Sequence, residues 1–410
     1  MNSPHPAYPS RIGHDEALAI IEAAGQAHRL DQERIATRRA EGRVLASDVV
    51  AGMPLPPFDN SRMDGFAFRH GDIDPGQSAP TLQIAGEQFA GRDLGQVLAP
   101  GQCIRITTGA PMPAGADTVV MKENVDEQAA AICFREVPRL GAHVGRAGED
   151  VRTGDTVLMA GDVLTPARTS LLTALGLADV AVSRRPTVAV FTTGDELVEP
   201  GMPLAPGEIY NSNRELLMGQ LRQLGLEPTA WPSLPDDPAR VRSMLLDAAS
   251  AFDLIITCGG VSAGEKDYLP GFLGEAGRIL FWKVRMKPGM PLLFGELESA
   301  LWLALPGNPV STLATFQAFG VPLLEQMQGR REARPRWFAR LALAWSKQHP
   351  RHEFLRGKLQ PREDGSLWVT PNPADASHRL QAAADSDALI VLAEGEHDYQ
   401  AGDVVRVLPY

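Results

Sequence analysis

Three apolar, strand-like runs each end in a polar turn that carries glycine. Thr187 to Thr192 leads into Thr192-Thr193-Gly194-Asp195-Glu196, and Leu254 to Thr257 into Cys258-Gly259-Gly260-Val261-Ser262-Ala263-Gly264-Glu265-Lys266-Asp267. The third, Leu301 to Leu305, leads into Leu305-Pro306-Gly307-Asn308-Pro309-Val310-Ser311. Helical periodicity fills the gaps, from about Asn213 to Leu224 and again after Asp237-Pro238, where Val241, Met244, Leu245 and Ala248 share one face. A further strand is expected over Ile279 to Val284, and Asn308-Pro309 opens another helix. Alternating strands and helices point to a doubly wound, parallel α/β sheet, assigned to residues 185–330. Ligands of such sheets gather at the carboxyl ends of the strands, where all three glycine turns fall.

The rest of the chain has other rhythms. Residues 53–146 alternate short β-branched runs (Cys103 to Thr107, Thr118 to Met121, Ala131 to Phe134) with Gly, Pro and Asp turns, the pattern of a small β domain. Helical pieces flank it: Asp15 to Ala27 carries Leu18, Ile20 and Ile21, and a second helix starts at Thr165-Pro166 and stops before Gly176. The β domain is therefore expected as an insertion into a split helical domain of residues 1–52 and 147–184. Gly329 to Arg336 breaks every periodicity and reads as a linker rather than a nucleic-acid arm. Beyond it, Leu367 to Thr370, Ala388 to Leu392 and Val404 to Leu408 are short strands, so residues 331–410 are expected to form a C-terminal β barrel or sandwich.

At 410 residues, 44% apolar and 22% charged, the composition is that of several folded domains. A net charge of −11 argues against a nucleic-acid or anionic-membrane surface, so a bound anion must meet a local positive patch. Cys103, Cys133 and Cys258 are too few and too scattered for a disulfide framework or a zinc site, which fits a reducing cytoplasm. Met1 to Arg11 lacks an apolar signal region, and no run of about 18 apolar residues occurs, so neither export nor membrane spanning is expected.

Glycine-rich strand ends can aim backbone N–H groups at a phosphate. One such loop is an ordinary strand-to-helix connection; three at one sheet edge favour a binding site at Gly194, Asp195, Gly259, Gly260, Ser262, Gly307 and Asn308. Acids sit in two of these loops, Asp195 and Glu196, Glu265 and Asp267. Carboxylates beside a phosphate site repel it unless a cation intervenes, so they are either turn and cap residues or ligands of Mg²⁺, with Glu196 and Asp267 the preferred pair. Lys283, Arg285 and Lys287 alternate, which on an extended strand puts three like charges on one face. Such a row is either a lysine-blunted edge or an oxyanion site, and the following Pro288-Gly289-Met290-Pro291 turn favours the site. Ser61-Arg62-Met63-Asp64-Gly65-Phe66-Ala67 and Arg105-Ile106-Thr107-Thr108-Gly109-Ala110 read as turns on physical grounds. Ser377 and His378 have no identifiable acid partner, so acyl transfer is not expected.

The stretches PPFDNSRMDGFAF, RITTGAPMPAGADTVV, GRAGEDV, TTGDEL, IYNSN, CGGVSAGEKDY, FWKVRMKPGMP and LPGNPVS occur in order from Pro56 to Ser311. Together they resemble the molybdopterin molybdenumtransferases of molybdenum-cofactor biosynthesis, the family related to gephyrin's second enzymatic domain. The resemblance implies an elongated multidomain subunit, α/β plus β, that ends in a C-terminal β barrel and forms a homodimer. It implies insertion of molybdate into the dithiolene of adenylylated molybdopterin, with Mg²⁺-assisted release of AMP. It also implies transient contact with the molybdopterin adenylyltransferase. Matched motif by motif, the family's catalytic positions fall on Asp64, Thr108, Asp150, Glu196, Asp267, Lys283 and Lys287, with Arg356 and Ser377 as substrate ligands and Glu196 and Asp267 as metal ligands. Met290 stands where the family's KPGKP pattern has lysine. The rival readings are a nucleotide amidohydrolase of the competence/damage-inducible type, which MDGFA and the inserted β domain do not fit, and a gephyrin-like scaffold.

Overall fold

Val188–Thr192, Leu254–Cys258 and Ala300–Leu305 are buried at every position, as parallel strands covered on both faces must be. The computed structural model describes residues 8–74, 76–77, 79–235, 237–262 and 268–410. It divides into two compact units, one formed by residues up to 33, 42–46 and 182–410, the other by 34–41 and 47–181.

In the first unit a seven-stranded sheet runs in the order Ser10–Ile12, Arg278–Val284, Leu293–Leu297, Ala300–Leu305, Leu254–Cys258, Val188–Thr192, Thr229–Ala230. The last four are parallel, as expected. Leu293–Leu297 was not expected as a strand, and it runs antiparallel to both its neighbours. It hairpins tightly into Ala300–Leu305, so no helix separates the two.

Successive side chains along each strand serve opposite faces. Val188, Val190, Ile256 and Leu303 join one core, while Ala189, Phe191, Ile255 and Trp302 join the other. The helix Ser212–Gln223 places Leu217 and Leu221 in the first core, and Pro238–Ala251 places Val241, Leu245 and Ala248 in the second, which makes the sheet doubly wound. Both starts are written in the sequence: Asn211 accepts from Arg214 N, and Asp237 from Ala239 N and Arg240 N ahead of Pro238.

The helix His14–Ala27 was expected in the split domain and lies elsewhere. Its Ala17, Ile21 and Ala24 are buried in the first core of the α/β sheet, and Gly25 approaches the helix Val321–Met327 so closely that a Cβ there would lie 2.7 Å from Gln326 Cβ. The preceding strand, Ser10–Ile12, pairs with Arg278–Val284 and carries the helix there.

Beyond the linker, Trp337–Leu341, His352–Pro361, Leu367–Pro371, Ala388–Leu392 and Val404–Pro409 form a closed five-stranded barrel, filled by residues such as Leu341, Leu355, Val369 and Ile390. A two-residue strand, Met286–Lys287, pairs with its opening residues, setting Lys287 opposite Glu353. Two of the linker arginines, Arg330 and Arg334, are held by Glu325.

The second unit contains a six-stranded sheet in the order Thr118–Met121, Gly65–Phe68, Gln102–Ile106, Thr81–Gln88, Ala131–Phe134, Val125–Gln128. Phe66, Phe68, Val120 and Ile132 fill its core. Gly65 has no room for a side chain, since a Cβ would lie 1.8 Å from Val120 O. The helix Pro166–Ala174 begins where expected, with Thr165 accepting from Arg168 N. Ala51, Val151 and Leu175 pack together, so the chain segments flanking the sheet share one small core.

Candidate functional site

The three glycine turns open onto one cavity of about 970 Å³ in the first unit. Backbone bonds tie them side by side: Thr193 N donates to Cys258 O (3.0 Å) and Gly259 N to Leu305 O (3.0 Å). Gly259 sits at φ +99° with its α-carbon so near Thr193 that a Cβ would lie 2.3 Å from Oγ1. Only glycine accepts that conformation without strain. Gly194, at φ +131°, likewise leaves room for the Glu196 carboxylate to fold back across it.

Of the residues expected here, Gly194, Glu196, Gly259, Gly260 and Ser262 line the wall, joined on the far side by Lys287, Gly307, Asn308 and Ser377. Asn308 Nδ2 donates to Ser377 Oγ (2.9 Å), fastening the barrel's 375–378 loop to the third glycine turn. Asn213 Nδ2 donates to Gly307 O (2.6 Å) in the same turn. Cys258 also reaches the wall, but burial pushes its thiol up to about 11, so it stays protonated at neutral pH and is no nucleophile.

Charge in the cavity centres on Lys287. Its Nζ lies 3.0 Å from Glu353 Oε1 and 3.3 Å from Asp375 Oδ2. Arg351 and His378 complete the basic lining, and Glu196 and Asp375 supply the carboxylates of the described wall. Arg351, His378 and Asp375 were not among the expected site residues. No local signal marks Arg351, which reaches the cavity because the barrel strand that follows it pairs with Met286–Lys287.

Several expectations are corrected. Lys283, Arg285 and Lys287 do not share a face: Lys283 adopts a left-handed conformation (φ +69°) that breaks the alternation. Its Nζ lies over the Trp282 ring, 4.1 Å from the centroid, and outside the wall, while Arg285 is taken by Arg11 O (3.0 Å) and Glu394 (3.2 Å). Trp282 Nε1 donates to Val261 O (3.1 Å), so Lys283 lies beside the root of the 258–267 turn. Arg356 does not meet the cavity either. It is 2% exposed and donates to the carbonyls of Ala374 and Ala376, bracing the 375–378 loop from behind. Asp195 is not part of the wall. Glu265 and Asp267 lie outside the described residues.

Asp64, Thr108 and Asp150 belong to the second unit. Asp64 Oδ1 accepts from Thr108 N (2.8 Å) and Thr108 Oγ1 (2.9 Å), bonds that hold its carboxyl below the usual carboxylate range. Asp150 N donates to Leu55 O (3.0 Å). In the same unit Arg62 pairs with Glu149 and Arg146 with Asp59, each at 2.5 Å. Arg62 lowers the Glu149 carboxyl, and the Ala147 N–H, then Arg146, lowers that of Asp59.

Fold and cavity define a class first: a multidomain α/β protein with a cavity at glycine-rich strand ends. Three family models divide the chain among them: "MoeA N-terminal region (domain I and II)" matches residues 12–176, "Probable molybdopterin binding domain" 189–326, and "MoeA C-terminal region (domain IV)" 339–410. The molybdopterin molybdenumtransferase of Haemophilus influenzae is 39% identical over 381 residues, 92% of this chain and 94% of the relative. Molybdopterin molybdenumtransferase 2 of Mycobacterium tuberculosis is 38% identical over 378 residues, covering 90% of this chain and 93% of its own. The crystal structure of the molybdopterin biosynthesis MoeA protein of Pyrococcus horikoshii superimposes with a TM-score of 0.84 at 28% identity, covering 97% of this chain and 100% of that one. The chain belongs to the MoeA family of molybdopterin molybdenumtransferases, and it is an enzyme, a transferase of molybdenum-cofactor biosynthesis.

Proposed function

We propose that the chain inserts molybdate into the dithiolene of adenylylated molybdopterin and releases AMP, using the cavity of the first unit. The observation that carries this reading is the convergence of three glycine-rich strand ends with Lys287 in one wall. Glycine turns suit the phosphates of the adenylylated pterin, and the lysine suits the molybdate dianion. The reaction asks the protein to bring two anions together and to stabilise charge as AMP departs, so positioning and electrostatics, without a protein nucleophile, suffice. Lys287 and Ser377 face the oxyanion in this reading, and Glu196 faces the diphosphate. Arg356 acts through the loop it braces. Lys283, near the root of the 258–267 turn, contributes to that turn's placement. Asp64, Thr108 and Asp150 are proposed to act in the same reaction from the second unit.

Mg²⁺ is the cation this reading assigns to Glu196 and Asp267. Among the described residues no group of three or more His, Cys, Asp or Glu side chains could hold a metal, and Asp267 lies outside them. We further propose domain limits of 1–52 with 147–184, 53–146, 185–330 and 331–410, amended by the docking of His14–Ala27 on the α/β sheet. Homodimerisation, a cytoplasmic setting and delivery of substrate by the adenylyltransferase belong to the same proposal. No helix among the described residues is long and apolar enough to cross a membrane.

The test is AMP release from adenylylated molybdopterin by the purified chain, with and without molybdate and Mg²⁺. Release that requires both supports the reading. Release that ignores molybdate would identify a plain hydrolase and overturn it.

A further inference from the structure

The two carboxylates on Lys287 are not equivalent. Glu353 side chain is 3% exposed, lies opposite Lys287 in the Met286–Lys287 pairing, and has no hydrogen-bond partner for Oε2 among the described residues. Its Oε1 also lies 3.2 Å from His349 Nε2, and moving so buried a carboxylate out to water is costly, so Glu353 stays in place. Asp375 is the opposite case. Its side chain is 48% exposed, at the cavity wall, and its bond to Lys287 is the longer one at 3.3 Å. The loop that carries it is anchored without it, through Arg356 to the Ala374 and Ala376 carbonyls and through Asn308 to Ser377. The carboxylate can therefore leave for water while the backbone stays in place.

Resting on the oxyanion reading above, we infer that Asp375 is an internal occupant of the oxyanion site: its carboxylate holds, on Lys287, the place that molybdate takes when it binds. Glu353 keeps the ammonium aimed, and Asp375 balances its surroundings until the substrate displaces it. Binding is then an exchange of one anion for another, so Asp375 lowers the apparent affinity by the fraction of time it occupies the lysine. An exposed carboxylate–lysine pair is a weak competitor, which sets the effect at about two- to five-fold.

The inference makes a prediction of sign. A residue that merely supports the loop, or that binds substrate, loses affinity when altered, whereas an occupant gains it. Calorimetric titration of the full chain with molybdate should show Asp375→Asn binding about two- to five-fold more tightly than the parent, with a matching fall in KM for molybdate in AMP release. Asp375→Glu, which restores a carboxylate, should return the affinity to within about twofold of the parent. Unchanged or weaker molybdate binding by a folded Asp375→Asn overturns the inference. Lys287→Ala separates the two levels: if it leaves molybdate binding intact, the oxyanion reading itself fails. If it abolishes binding while Asp375→Asn does not tighten it, only the role of Asp375 fails.

Discussion

The cavity of the first unit and the Asp64 cluster of the second use similar residues to opposite ends. In the second unit three of the charged groups are met on the spot: Asp64 by two Thr108 donors, Arg62 by Glu149, Arg146 by Asp59. In the first unit Lys287 is paired too, with Glu353 and Asp375, but it stands with Arg351 in the wall of a cavity of about 970 Å³, and Arg351 makes no ion pair among the described residues. Satisfied charges fix the shape of exposed loops, while charges held at a cavity wall are available to a ligand. Polar residues clustered in a motif therefore do not by themselves locate a ligand site. What distinguishes the first unit is the space that its glycines and the barrel loop leave open.

Substitution at Lys287 should produce the largest effect. Lys287→Ala removes the cationic centre of the cavity, and AMP release per folded molecule should fall on the order of 100-fold or more, with a lowered thermal transition because the buried Glu353 carboxylate loses its lysine. Equal activity would erase the contrast between the two units. Gly65→Ala is the reciprocal case. Its Cβ meets backbone, Val120 O, and overpacking of this kind costs roughly 1–3 kcal/mol or more, to be read as a lowered unfolding midpoint.

Acid should act on the first unit through a histidine pair. His14 and His352 stack at 4.2 Å between centroids, and burial, followed by the charge of His14, pushes His352 down to about 4. A histidine whose folded pKa is depressed favours the folded state fully above its unfolded value near 6.5. That contribution is lost as pH falls from there toward 4. His352→Phe should therefore flatten the loss of stability between pH 7 and 4 in chemical unfolding, and a slope equal to the parent's would argue against it. The smallest effect is local: Thr108→Val deletes one of the two donors on Asp64, and the Asp64 carboxyl, followed by NMR titration, should move up toward the ordinary carboxylate range.

Much of the architecture was legible because its signals are short-range. Asn211 and Asp237 cap helices where they stand, Pro166 and Pro238 start them, and uninterrupted apolar runs became the buried parallel strands. The glycine turns announced the cavity for the same reason, since the backbone conformation they require is a property of a few adjacent residues. Leu293–Leu297 escaped notice because a short apolar run beside Pro291 carries no alternation. The helix His14–Ala27 was misplaced because amphipathicity says that a face is buried and not against which core. In the site, Arg356 was expected as a substrate ligand through the family resemblance, which carries nothing about its burial, and Arg351 went unseen because its position depends on a strand pairing with residues far away in the chain.

The amino-acid order alone settled the buried parallel strands, the helices that follow capping residues and where the backbone could approach an anion, because caps, periodicity and glycine conformations act over a few residues. Only the folded chain decided which cations face the cavity. That choice turned on a left-handed residue at Lys283, a buried guanidinium behind the 375–378 loop, and the meeting of Lys287 with Glu353 and Asp375 across the start of the barrel. Electrostatic function depends on which charges face the cavity and on the partners they hold there, and both come from neighbours brought together by tertiary packing.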